Sequence, residues 1–82
     1  NLSRDNNGNI YVKGNVTIRD LNRKFNFKLP ENSASTIAGL IINIAKRIPE
    51  AGENFVIKDL IINIISRSQT RITKVLIKTN KT

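Results

Sequence analysis

Apolar residues follow two rhythms along this chain. Ile18, Leu21 and Phe25 recur every three or four positions, and so do Ile37, Leu40, Ile41, Ile44 and Ile48. That is the spacing of helices that bury one stripe. Around residue 10 and from residue 54 onward the apolar residues alternate or run together, as in strands. Ile10 and Val12 share one face of a strand predicted over residues 9–13.

Local signals bound these elements. Thr17 or Asn15 can cap the first helix. Asp20 lies in its first turn, and Lys24 and Lys28 lie toward its far end, where the helix dipole favours each charge. Phe27 and Leu29 are expected to fold back onto the core, and Pro30 stops any continuation. A polar linker over residues 31–35 leads to Ser35-Thr36, a second N-cap. The main helix is predicted over residues 37–47. Beside its main stripe it carries a second one, Ala38, Ile42 and Ala45, so more than one side is expected to be covered. Gly39 costs this helix about 1 kcal/mol relative to Ala, which predicts close approach of another backbone there. Ala38, Gly39, Ile42 and Ala45 are therefore the candidate interaction residues.

Ile48-Pro49-Glu50-Ala51-Gly52 ends the helix and turns the chain. A strand follows over 54–58, with a tight turn at Lys58-Asp59. Residues 60–65 are nearly all apolar, as in a central strand covered on both faces. A hairpin loop over 67–70 leads to a strand over 71–78. It places Ile72, Lys74, Leu76 and Lys78 on one face and Thr73, Val75 and Ile77 on the other. The order β-α-α-β-β-β predicts an α+β fold: a small two-layer sandwich with a mostly antiparallel sheet and two helices on one face.

At 82 residues the chain can bury one core and no more. Cys, His, Met and Trp are absent, which excludes disulfides, thiol chemistry, His-based proton transfer and the commonest metal ligands. Asp5, Asp20, Glu31, Glu50, Glu53 and Asp59 fall in turns and at helix ends, not in a facing pair suited to acid–base work. Ser33, Ser35 and Thr36 have no His to activate them and suit capping. Residues 3–8 resemble the start of a calcium loop, but Gly14 stands where the bidentate Glu belongs, so this stretch is expected to be a turn. No enzyme, metal site or definable cofactor site is expected. No apolar run approaches the roughly 18–20 residues of a membrane span. The first residues lack the apolar core of a signal peptide, and the missing initiator Met fits a fragment of a longer chain.

The net charge of +8 admits two explanations. One is a polyanion partner, nucleic acid or anionic lipid. The other is drift toward Asn, Ile and Lys, consistent with basic residues spread along the whole chain. Arg71, Lys74 and Lys78 have no aromatic stacking platform beside them, so nucleic acid is not the expected partner.

The ordered signals together resemble a family. They are the Gly8 turn, Gly14, Ile18-Arg19-Asp20-Leu21-Asn22, Leu29-Pro30, Thr36-Ile37-Ala38-Gly39-Leu40-Ile41, Arg47-Ile48-Pro49, Gly52-Glu53 and Arg71-Ile72-Thr73-Lys74-Val75. Across residues 5–78 the chain resembles the CorC/HlyC transporter-associated domain, the C-terminal domain of bacterial hemolysin-like CBS-domain proteins linked to magnesium and cobalt efflux. The linker over 31–35 lacks the extra acids common in that family, and this chain is more basic than most members. The resemblance implies a single domain over residues 1–82, similar to a subdomain of FAD-binding proteins. It implies a non-catalytic regulatory role on the cytoplasmic side, in a membrane-associated or soluble parent. CBS domains of the parent or a second copy would be its partners, with contact to a membrane only through the parent. FAD or another adenine nucleotide is the ligand it suggests.

Overall fold

A computed structural model describes residue 5 and residues 8–79. The expected calcium-loop-like turn falls partly, and the C-terminal tail almost wholly, outside these residues.

Six elements follow in the expected order: β1 (Ile10–Lys13), α1 (Ile18–Phe25), α2 (Ile37–Ala45), β2 (Asn54–Ile57), β3 (Leu60–Arg67) and β4 (Ile72–Thr79). The strands form one antiparallel sheet in the order β1-β4-β3-β2. The first strand therefore lies against the last, and the two helices are the connection between β1 and the β2-β3-β4 meander. Ile10 and Val12, Ile62 and Ile64, Val75 and Ile77 line one sheet face and meet Ile18, Leu21, Ile37, Leu40 and Ile41 from the helices; none is more than 3 % exposed. Each such side chain contributes about 1.5–3 kcal/mol by leaving water.

Thr17 caps α1 and Thr36 caps α2, each hydroxyl accepting from the backbone N–H three residues on, at 3.1 Å. The two caps are tied together: Ile18 N–H donates to the Ser35 carbonyl at 2.9 Å and Ile37 N–H to the Val16 carbonyl at 3.0 Å. Asn22 does more than occupy a helical position. Its amide donates to the Leu29 carbonyl at 2.9 Å and accepts from Leu29 N–H at 3.0 Å. This clamp returns Leu29 to the core, as expected for the segment before Pro30.

Four expectations need correction. First, α2 stops at Ala45, because Lys46 adopts a left-handed conformation (φ 61°) and its N–H donates to the Ile42 carbonyl at 2.8 Å. Ile44, in the last turn of α2, is exposed although it belongs to the main stripe. Second, a Cβ on Gly39 would meet only side-chain atoms, Thr36 Oγ1 at 3.2 Å and Ala34 Cβ at 3.3 Å. The close backbone approach is at Gly14, where a Cβ would overlap the Ile72 carbonyl oxygen and sit 2.9 Å from its carbon. Third, β3 is buried on one face only: Leu60, Ile62 and Ile64 point inward, whereas Ile61 and Asn63 are half-buried and Ile65 is exposed. Both helices pack on the same side, and among the described residues no layer covers the other. Fourth, Ile72 joins the core rather than the Lys74 face, because the β3–β4 register shifts between Ile64 and Arg67 and re-aims the start of β4.

Candidate interaction surface

The helix α2 has the sequence Ile-Ala-Gly-Leu-Ile-Ile-Asn-Ile-Ala and carries no charged side chain. An amphipathic helix at a protein surface normally turns charges to water. Here the polar position is Asn43, whose amide is engaged with the Ser33 carbonyl at 2.7 Å. Ile44 stands beside it, 48 % exposed. Of the four candidate residues, Ala38 and Ile42 are half-buried and pack against the domain's own core. Gly39 and Ala45 are also half-buried. The structure thus brings all four onto one helix, with part of that stripe already used internally. Ile44, which periodicity assigned to the core, is the most open apolar residue on α2. The left-handed residue that stops the helix after it is a lysine rather than the Gly or Asn that usually marks such a cap.

The turn after α2 is held rigidly. Arg47 and Glu53 form a bidentate pair, at 2.8 Å and 2.6 Å, and Glu53 also accepts from Glu50 N–H at 2.6 Å. These bonds hold the Glu53 carboxyl at about 2, below the ordinary carboxylate range, with the Arg47 hydrogen bond the largest cause. Arg67 reaches across from β3 to the Ile48 carbonyl at 2.9 Å and to Glu50 at 3.1 Å. Both arginines thereby close the loop around buried Pro49. These acids and bases are structural partners of each other.

Two surface grooves stand out among the described residues. The first, about 300 Å³, lies between the start of α1 and the linker, beside Thr17, Asp20, Glu31 and Ser35. The second, about 420 Å³, is lined by Phe25, Phe27, Lys28, Lys58 and Asp59 among others. Its two phenyl rings stack with centroids 5.4 Å apart. Apolar rings with lysines at the rim can receive a planar anion. Among the described residues, no three Asp or Glu side chains come together as a metal cluster would need. No described helix is long and apolar enough to cross a membrane.

Known proteins share this arrangement. The chain is 32 % identical, over 90 % of its length, to the UPF0053 inner membrane protein YfjD of Escherichia coli, of which it spans 17 %. A structure of a conserved protein of unknown function from Haemophilus influenzae superposes with a TM-score of 0.89, at 29 % identity, covering 96 % of this chain and 98 % of that one. The transporter associated domain of a Xylella fastidiosa hemolysin, solved in complex with Mg++ and Mn++, superposes with a TM-score of 0.83, at 27 % identity and 95 % coverage of both chains. Residues 3–81 of this chain match the CorC_HlyC transporter associated domain, and the chain belongs to that family.

Proposed function

We propose that this chain is a non-catalytic docking module that regulates a larger hemolysin-like, CBS-containing parent linked to divalent-cation transport. On this proposal the domain lies on the cytoplasmic side and docks through α2. The observation that carries it is a helix without charge whose last turn exposes Ile44 next to Ala45. Covering the half of Ile44 still in water contributes about 0.7–1.5 kcal/mol, so the outer side of α2 gains by being covered. The docked partner is the CBS portion of the parent or a second copy of the domain. Sedimentation of the isolated domain, alone and mixed with the CBS portion, tests this. Complex formation with either one is expected, and a monomer that binds neither would overturn the proposal.

A second proposal is favoured by the groove at Phe25 and Phe27: binding of an adenine nucleotide such as FAD, with Lys28 and Lys58 meeting phosphate. Calorimetric titration with FAD, ATP and AMP at low salt should then give saturable heat that Lys28→Ala weakens. A flat titration would dismiss it.

A further inference from the structure

The sheet face turned away from the helices carries an unusual set of side chains. Ladder register places Tyr11 beside Leu76, and Lys78 beside Ile61 beside Val56. Ile65 follows on the same face at the register shift. Val56 is 66 % exposed, Tyr11 46 % and Ile65 37 %. Leu76 is 8 % exposed yet lies outside the main core cluster, so its neighbours on this outer face cover it. The ordinary alternative is a solvated face of an antiparallel sheet, which alternates apolar inward with polar outward. Five apolar side chains share the outward positions with Asn54, Asn63, Ser66 and the lysines, more than that pattern leaves there.

Charge narrows the occupant. Lys13, Lys74 and Lys78 project from the same face, with Lys74 Nζ 5.7 Å from the Tyr11 ring centroid. The four strands contain no Asp or Glu. A second copy would set lysines against lysines on a chain of net charge +8. A lipid bilayer would meet a flat sheet face whose apolar side chains, Leu76 at 8 % and Ile65 at 37 % exposure, do not protrude into the acyl boundary as an inserting face does. A helix can engage both. Four strands span about 19 Å at about 4.8 Å each, wide enough to seat a helix about 10 Å across. Lys74 and Lys78 lie about 13 Å apart along β4, one on each side of Leu76, so a helix crossing at Leu76 meets a lysine on either flank.

We infer that this outer face docks an acidic amphipathic helix of a partner, whose apolar stripe lies on Leu76, Ile61 and Val56 and whose carboxylates pair with Lys13, Lys74 and Lys78. The helix would add a third layer to the two-layer sandwich. This surface is opposite α2 and independent of docking there.

The test uses a synthetic helical peptide of about 18 residues, with a Leu stripe flanked by Glu, and a control peptide with Lys in place of each Glu. Binding is followed by fluorescence anisotropy and by amide chemical shifts of the labelled domain. The Glu peptide should bind and shift the amides of Tyr11, Ile61 and Leu76, and its affinity should fall at least about tenfold when Lys74 and Lys78 are both changed to Glu. Val56→Ser should weaken it with the fold intact by circular dichroism. No binding near 50 mM salt, equal binding of the Lys peptide, shifts confined to α2 or the groove, or binding only to phosphatidylglycerol vesicles would each overturn the assignment. So would self-association through this face.

Discussion

Replacing Gly14 by Ala adds one methyl group where three elements converge. Gly14 follows β1; its N–H donates to the Thr73 carbonyl and its own carbonyl accepts from Ala38 N–H, both at 3.0 Å. The new Cβ would overlap the Ile72 carbonyl oxygen and lie 3.1 Å from Ala38 Cβ. Backbone of a paired strand cannot yield as a side chain can, so relief requires β4 or the start of α2 to move. Overpacking costs about 1–3 kcal/mol. Weakening the two backbone bonds adds about 1 kcal/mol each. The total is about 3–5 kcal/mol, against a stability of about 4–12 kcal/mol for a domain of this size. Urea denaturation followed by circular dichroism should show a much lower midpoint, and Tm should fall by at least about 12 °C. Gly39→Ala is the matched control. Its Cβ would press on Ala34 and Thr36 side chains while the helix gains about 1 kcal/mol of propensity, so its stability should change by no more than about 1 kcal/mol. A Gly14→Ala domain within about 1 kcal/mol of wild type would refute the junction at Gly14.

Asn22→Ala should destabilise by about 2 kcal/mol in urea melts, because it frees both backbone groups of Leu29, whose amide should then exchange faster. Glu53 is held at about 2, below its ordinary 4.5, so its pairing stabilises the fold fully above the ordinary value and is lost as pH falls toward about 2. Urea midpoints should drop across that window in the wild type and drop less in Glu53→Gln. Arg67→Ala should loosen the Pro49 turn at a cost of about 1.5–3 kcal/mol, seen as a lower midpoint and faster exchange of the Gly52 amide.

Element order and the helix caps were legible because they are local. Thr17 and Thr36 declare themselves by the residues that follow them, and Ile37, Leu40 and Ile41 by their spacing. What periodicity could not reveal was which outward positions stay open. Ile44 sits in phase with the core stripe, and nothing in its spacing separates it from Leu40 and Ile41, yet it is 48 % exposed. The run Leu60–Ile65 reads alike whether one face or two are covered, since the difference lies in where both helices pack. The shift that moves Ile72 inward arises within the β3–β4 hairpin, where unpaired Ile65 and Thr73 break the strict alternation that periodicity assumes. Gly14 rather than Gly39 proved to be the close approach, because the backbone it meets comes from the last strand. Asn22 carries no local signal of its contact with Leu29, which arises only once the chain folds back after α1.

Docking through the uncharged helix is tested most directly at Ile44. The measurement is the affinity of the domain for the CBS-bearing remainder of its parent, with wild-type chain and with Ile44→Glu. Ile44 is already half in water, so the variant should keep its Tm within a few degrees, as expected for a surface change of about 0.5 kcal/mol. Its affinity should fall at least about tenfold, since the added carboxylate would be buried without a partner. Equal affinity for wild type and variant, with both folded, would contradict docking through α2.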